Sequence, residues 1–115
     1  MKLINSFKYA FKGLAIATRE EQNFRIHLLA VVATIIAGAF FRLSVTEWAI
    51  ILLTMCMVLA AELFNTAIED AVNFISPQYN KAAGRIKDIS AAAVLITAIT
   101  ALAVAAYIFG SKIAG

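Results

Sequence analysis

The sequence contains few of the residues that form loops or face water. Its 115 residues include one proline and five glycines, so little of the chain can be loop. Charged residues make up only 15% of it and hydrophobic residues 63%, whereas ordinary globular proteins have roughly 25% and 45–50%. These proportions exclude a conventional water-soluble domain and indicate a single membrane-embedded domain over residues 1–115.

Several chemical motifs are absent as well. The single cysteine, Cys56, excludes an intramolecular disulfide and a thiolate metal cluster, and inside an apolar run it is expected to be a small hydrophobic side chain. There is no Walker loop, no protein-kinase glycine-rich loop and no H-R-D catalytic loop. The net charge of +3 comes without a basic cluster interleaved with aromatic residues, so no nucleic-acid partner is predicted.

Three apolar segments are suited to cross a membrane. Residues 89–111 carry no charge and exceed the roughly 20 residues that a spanning helix needs. Residues 28–41 and 48–61 are also free of charge but shorter, so interfacial or polar residues must extend them. His27 is expected at one such end as an interfacial side chain. The predicted transmembrane helices are 26–42, 48–75 and 88–111.

The N-terminal residues 1–25 are predicted to form an amphipathic surface helix and the start of the first span. Lys8 and Lys12 share one face of this helix, which suits the interface of an anionic leaflet. Two roles stay open, a plain membrane anchor or a cover over an active site. The apolar residues of the opposite face, at helical spacing, are Leu3, Ile4, Phe7, Phe11 and Leu14.

The distribution of Lys and Arg predicts the topology. Five of these residues precede the first span, one lies in the next loop, three lie in the second loop and one follows the last span. Because cytoplasmic segments carry the excess of positive charge, the N-terminus is predicted in the cytoplasm and the C-terminus outside. Every carboxylate except Glu47 is then on, or reachable from, the cytoplasmic side.

Residues 62–70, E-L-F-N-T-A-I-E-D, are the most polar part of the second predicted span. On a helix Glu62, Asn65 and Glu69 fall on one face. At 1.5 Å per residue, Glu62 lies about 10 Å deeper than Glu69, where a lipid hydroxyl can reach it and a soluble substrate cannot easily do so. Ionisable groups at this depth predict a functional site. The alternative is hydrogen bonding between helices in an oligomer.

Two other polar groups are predicted at the same leaflet. Glu20 and Glu21 lie where the surface helix meets the first span. Carboxylate ligands without nearby Cys or His predict a hard cation such as Mg²⁺, which binds one or two carboxylates together with substrate phosphates. In the loop G-R-I-K-D, Arg85 and Lys87 can bind phosphate oxygens, and Gly84 permits close backbone approach. The alternatives are solvated interface charges and ordinary cytoplasmic basic residues.

Four segments together resemble one family. They are F-K-Y-A-F-K-G-L (7–14), E-E-Q-N-F-R (20–25), E-L-F-N-T-A-I-E (62–69) and G-R-I-K-D (84–88). In these runs the chain resembles the prokaryotic diacylglycerol kinase family of small trimeric membrane lipid kinases, which includes the undecaprenol kinases. The resemblance implies an all-α homotrimer in the bacterial cytoplasmic (inner) membrane that transfers phosphate from ATP, with Mg²⁺, to a lipid alcohol.

The resemblance also implies residue roles. Glu62 matches the catalytic base and Asn65 the motif asparagine, while Glu21 and Glu69 match the two magnesium-binding glutamates. Asn73 and Asn80 depart from the family, which commonly has Asp and His there. The implied nucleotide-binding residues are Lys2, Tyr9, Glu21, Glu69, Gln78, Tyr79, Asn80, Lys87 and Asp88, and the implied lipid-binding residues are Lys2, Ala10, Gly13, Arg25 and Glu62.

The sequence allows three classes of protein to be compared: a lipid kinase, an exporter and a non-catalytic assembly subunit. The loop F-F-R-L-S-V-T-E-W and the variant N-T-A-I-E look more like undecaprenol kinases than like the diacylglycerol branch, so undecaprenol is favoured over diacylglycerol, which would yield phosphatidic acid. A proton-coupled multidrug exporter would have four spans and a carboxylate in the middle of the first. A non-catalytic membrane assembly subunit would not need Glu21, Glu69 and Lys87 at one leaflet.

Overall fold

The computed structural model describes all 115 residues and consists of four helices joined by short connections. They are α1 (Lys2–Glu20), α2 (Gln22–Phe40), α3 (Val45–Ile75) and α4 (Lys81–Ala114). The prediction of an all-α chain is confirmed. Helices α2, α3 and α4 are each long and apolar enough to cross a membrane, so the predicted number of spans is confirmed too.

The break between α1 and α2 is a single residue. Glu21 has an extended backbone with φ −110° and ψ 110°, which interrupts the helical ladder without glycine or proline. Arg25, in the first turn of α2, reaches back and its Nη1 donates to the carbonyl oxygens of Thr18 at 3.2 Å and Arg19 at 2.9 Å. These carbonyls have no intrahelical partner at the C-terminus of α1. Arg25 therefore ties the direction of α1 to that of α2.

A Schellman motif ends α2. The N–H of Leu43 donates to the carbonyl of Gly38 at 3.2 Å, and the N–H of Arg42 donates to that of Ala39 at 3.4 Å. Arg42 takes the left-handed conformation, with φ 54°. Gly38 is required for a different reason, since a Cβ there would lie 2.5 Å from the Trp48 ring. The missing side chain lets the start of α3 pack closely against the end of α2.

Helix α3 begins with a capping box. The Ser44 Oγ accepts from the Glu47 N–H at 3.2 Å, and the Glu47 Oε1 accepts from the Ser44 N–H at 2.8 Å. The same Glu47 oxygen lies 2.9 Å from the Lys112 Nζ near the end of α4. Below this ion pair is a small apolar core, consisting of Leu43, Ile51, Met55 and Ile108. These contacts hold α3 antiparallel to α4 along the main packing surface of the molecule.

The helices extend beyond the predicted spans. α2 starts at Gln22, before the predicted residue 26, and α4 starts at Lys81, before the predicted residue 88. The prediction followed the charge-free runs, whereas backbone hydrogen bonding continues through charged residues outside the hydrocarbon. Only 14 of the 115 residues are buried. Most apolar side chains therefore face outwards, as in a multi-pass membrane protein.

Candidate active site

The polar face of α3 points into the molecule. Glu62 is 3% exposed and Asn65 is 8% exposed, whereas their neighbour Phe64 is 71% exposed. Glu69, one turn beyond Asn65, is half-buried. The spacing of three and then four residues brings these three polar side chains under the cover of α2 and α4, as the sequence predicted for one helix face.

Asn65 connects α3 to α4. The Ser90 Oγ donates to the Asn65 Oδ1 at 2.7 Å, and the Asn65 Nδ2 donates to the Glu69 Oε1 at 2.9 Å. Ser90 is itself 6% exposed. The sequence prediction missed Ser90, because nothing in the sequence shows which residue of α3 this hydroxyl faces. These bonds fix the Asn65 amide and one Glu69 oxygen.

Glu62 has a different neighbour. The His27 Nε2, from α2, lies 3.6 Å from the Glu62 Oε2, which is longer than a direct hydrogen bond. The sequence prediction treated His27 as an isolated interfacial side chain and missed this contact, since nothing in the sequence gives the register of α2 against α3. No hydrogen bond within the chain occupies the carboxylate of Glu62, so its oxygens can accept one from a substrate.

Glu21 lies on a groove between the α1–α2 junction and α3. The cavity measures about 590 Å³. A Cβ added at Gly13 would meet no atom within 4 Å, so the space above α1 is open there. The predicted lipid-binding residues Ala10 and Gly13 thus share a cavity with the predicted metal ligand Glu21. Its polar lining is Glu20, Glu21, Thr66 and Asp70.

Three carboxylates lie towards this end of the molecule. Glu62 and Glu69 are two turns apart on one face of α3, and Glu21 is the residue between α1 and α2. No three His, Cys, Asp or Glu side chains converge to make an all-protein metal cage. This donor set, with oxygen ligands and too few of them for a cage, fits Mg²⁺, which keeps waters and completes its shell with substrate phosphates.

The loop between α3 and α4 forms a second polar groove. The cavity is about 300 Å³, and its lining includes the predicted nucleotide residues Gln78, Tyr79, Lys87 and Asp88. The Lys87 Nζ donates to the Asn73 Oδ1 at 2.6 Å. Because asparagine is neutral, this bond positions the ammonium and leaves its charge uncompensated.

Gly84 and Asn80 shape this groove. A Cβ at Gly84 would lie 3.0 Å from the Tyr79 ring, so glycine lets the ring approach the first turn of α4. The Asn80 Oδ1 accepts from the Ala83 N–H at 2.9 Å and caps α4, while its Nδ2 donates to the Ser76 Oγ at 2.6 Å. The side chain of Asn80 is thus engaged in helix capping, in contrast to its neighbours Gln78 and Tyr79.

The remaining predicted residues lie apart from these clusters. Lys2 and Tyr9 are exposed on α1 and make no side-chain hydrogen bond or ion pair with the other site residues. Arg25 caps α1 through its guanidinium. The structure therefore brings together the residues of α3, α4 and the α1–α2 junction, but leaves the first half of α1 open.

Comparison with known proteins identifies relatives over nearly the whole chain. The profile of the family described as "Prokaryotic diacylglycerol kinase" matches residues 8–109. A diacylglycerol kinase of Synechocystis is 40% identical over 103 residues, which are 89% of this chain but only 59% of that protein. An undecaprenol kinase of Bacillus subtilis is 35% identical over 97% of this chain and 91% of its own length. A diacylglycerol kinase of Escherichia coli is 31% identical over 88% of this chain and 83% of its own length.

Proposed function

The chain belongs to the prokaryotic diacylglycerol kinase family, a family of lipid kinases, and from that premise we propose that it transfers the γ-phosphate of ATP to the hydroxyl of a membrane lipid. The observation that carries the proposal is the buried Glu62, free of hydrogen bonds and next to Asn65 and Glu69 on one face of α3. Family membership favours this reaction over the exporter and the assembly subunit.

The depth of Glu62 suits a lipid hydroxyl. Its neighbour His27 is five residues after Gln22, the first residue of α2, and at 1.5 Å per residue this is about 8 Å from the helix end. α2 begins with the polar residues Gln22, Asn23 and Arg25, which lie outside the hydrocarbon, so His27 is close to the start of its apolar part. Glu62 therefore sits just inside the apolar layer, at the level of a lipid's polar tip.

The residues of α3 supply general-base catalysis in this proposal. The Glu62 carboxylate accepts the proton of the lipid hydroxyl as that oxygen attacks the γ-phosphorus and the bond to the β–γ bridging oxygen breaks. Asn65, fixed between Ser90 and Glu69, holds the neighbouring carboxylate in place. A base in a water-poor, preorganised position favours transfer to the lipid over transfer to water.

Glu21 and Glu69 are the proposed magnesium ligands. Both are half-buried, and Glu69 shares one face of α3 with the proposed base Glu62, which supports the proposal. When bound, Mg²⁺ would neutralise charge on the phosphate oxygens and orient the triphosphate. Glu21 contributes from the junction of α1 and α2 and Glu69 from α3, so the direction of α1, set by Arg25, also sets the position of Glu21.

The nucleotide is proposed to occupy the grooves beside the α3–α4 loop. Lys87 and Arg85 present cationic side chains there for phosphate oxygens. Tyr79 offers a ring for the base, held against Gly84. Gln78 and Asn80 complete the proposed set from the loop and Asp88 from α4. Lys2 and Tyr9 remain in the proposed set, although they lie on α1 apart from these grooves. The proposed lipid-binding residues remain Glu62 together with Lys2, Ala10, Gly13 and Arg25.

The topology and the oligomeric state are proposed on separate grounds. We propose a bacterial inner-membrane protein with its N-terminus in the cytoplasm and its C-terminus outside, supported by the basic residues that flank the cytoplasmic ends. ATP is cytoplasmic, which agrees with that orientation. A homotrimer is proposed from the family and is supported by how few residues one chain buries, 14 of 115.

Undecaprenol is the proposed preferred lipid, with diacylglycerol as the alternative. The relative named undecaprenol kinase matches 97% of this chain and 91% of its own length. The relative named diacylglycerol kinase with 40% identity is matched over only 59% of its length. Both lipids carry a primary alcohol, so the base and the metal ligands would serve either, and the choice between them depends on the apolar groove.

The test is a transfer assay with purified protein in lipid vesicles. Labelled ATP and Mg²⁺ are supplied with undecaprenol or with diacylglycerol, and labelled lipid phosphate is measured. We expect label in the lipid, a higher kcat/KM for undecaprenol, and none after chelation of the metal. A preference for diacylglycerol would support the alternative substrate. Protein that binds ATP but labels neither lipid would overturn the proposed reaction.

A further inference from the structure

We propose that Ser90 is a positioning residue of the metal site, acting through Asn65 on Glu69. This inference rests on the proposed function only in taking Glu69 as a metal ligand. Ser90 is on α4, while Asn65 and Glu69 are on α3. The hydroxyl therefore links the helix that carries the proposed nucleotide loop to the helix that carries the proposed metal ligand.

The hydrogen bonds between these three side chains run in one direction. The Glu69 Oε1 accepts a hydrogen bond from the Asn65 Nδ2, at 2.9 Å. The Asn65 Oδ1 is then turned towards α4 and needs a donor, which is the Ser90 Oγ at 2.7 Å. The reversed amide would place two acceptors against each other. Ser90 thus selects the Asn65 orientation in which the amide binds Glu69.

Ser90 differs from the other hydroxyls of the helices. Six of them donate to a carbonyl of their own helix three or four residues earlier, which satisfies the hydroxyl without linking helices. Ser90 instead donates to a side chain of another helix at a site where it is 6% exposed. The six residues with local bonds are Ser6, Thr18, Thr34, Thr54, Thr97 and Thr100.

Loss of the Ser90 hydroxyl is expected to disturb both Asn65 and Glu69. The buried Asn65 Oδ1 would be left without a donor, and the amide could rotate to find one. Rotation withdraws the N–H from Glu69, whose Oε1 would lose the bond that holds its rotamer. The expected effect is weaker binding of the divalent cation, because a ligand that must be ordered on binding lowers affinity.

The test measures cation binding as well as activity. Ser90→Ala is compared with Thr97→Val, which removes a hydroxyl two turns further along α4 whose bond is local. Mn²⁺ affinity is measured by electron paramagnetic resonance with a non-hydrolysable ATP analogue, and Mg²⁺ dependence by lipid phosphorylation. We expect Ser90→Ala to raise both half-saturating concentrations about three- to tenfold, as for loss of one buried hydrogen bond, and Thr97→Val to leave them unchanged.

A double variant separates positioning from general destabilisation. In the Asn65→Ala background, Ser90→Ala should cause no further loss of Mn²⁺ affinity, because its route to Glu69 is already gone. Equal Mn²⁺ affinity in wild type and Ser90→Ala, or additive losses in the double variant, would overturn the inference. Absence of lipid phosphorylation by the wild type would instead refute the proposed reaction, while the Mn²⁺ titration would still decide the role of Ser90.

Discussion

At the scale of single residues, the central feature is a buried carboxylate without a hydrogen-bond donor. Glu62 is 3% exposed, and its polar neighbour, His27, stands 3.6 Å away. An ionisable group buried in a membrane-spanning helix is costly, and such groups mark functional sites. Asn65, one turn further along α3, has both of its polar ends bonded. Glu62 is therefore the group that is free to react, whereas Asn65 is held in place.

A prediction at this scale concerns Lys87. Replacing Lys87 by Met removes the ammonium that Asn73 positions at the proposed nucleotide groove. We expect the KM for ATP to rise about 10- to 150-fold while the KM for the lipid stays within about twofold, because one charge-assisted phosphate contact is worth about 1.5–3 kcal/mol.

The control is Lys112→Met, near the other end of α4. That lysine pairs with Glu47 on the far side of the molecule and should not affect the KM for ATP. Equal ATP kinetics in the two variants would remove Lys87 from the nucleotide site.

The sequence predicted part of the candidate site at this scale. The spacing of Glu62, Asn65 and Glu69 was sufficient to place them on one face, because helical periodicity is local. His27 and Ser90 were missed since their contacts depend on the register of α2 and α4 against α3, which no local pattern records. The family resemblance supplied roles for Glu21, but not the groove that it shares with Gly13.

At the scale of helices, the ends are defined by specific hydrogen bonds. α3 begins with the box of Ser44 and Glu47, a pattern that S-V-T-E makes readable in the sequence. Neither Glu21, at the break, nor Arg42, in the left-handed position after α2, is a glycine, so these helix ends could not be read in the same way. At these two ends Arg25 caps the last carbonyls of α1, and Trp48 packs against Gly38 of α2.

A prediction at this scale concerns Arg42. Its φ of 54° is strained for a residue with a Cβ, and glycine is the preferred residue at that position of a Schellman motif. Arg42→Gly should increase the free energy of unfolding by about 0.5–1 kcal/mol, measured by thermal or denaturant unfolding in detergent micelles.

Arg42→Ala serves as the control, because it removes the charge and keeps the strain. It should give no such gain. A gain of equal size in both variants would mean that the charge, and not the backbone conformation, limits stability.

At the scale of the whole molecule, the chain is flat and measures 53 × 41 × 20 Å along its principal axes. α3 has 31 residues and α4 has 34, so at 1.5 Å per residue both are longer than the roughly 30 Å of bilayer hydrocarbon. The ends of α3 and α4 therefore extend into the headgroups and water. α1 exposes Leu3, Ile4 and Phe7, which a membrane surface would cover. The number of spans followed from composition, whereas the angle between α1 and the bundle depends on Arg25.

In the proposed reaction, the two polar grooves admit the lipid and ATP separately. The cavity beside Glu21 and the cavities beside Lys87 lie on different sides of the polar end of α3. In the proposed reaction a lipid reaches Glu62 from the membrane and ATP reaches Glu69 from the water. The site is open along α1, where a second copy of the chain can complete it in the proposed trimer.

The most direct test of the central claim is turnover by Glu62→Gln. Phosphate transfer from labelled ATP to undecaprenol, together with nucleotide affinity, is measured for the wild type, Glu62→Gln and the control Glu47→Gln at the other end of α3. The account predicts that Glu62→Gln lowers kcat about 100-fold or more, the range for loss of a general base, with nucleotide affinity within about twofold of the wild type. Glu47→Gln should retain wild-type turnover. Wild-type turnover by Glu62→Gln would contradict the account.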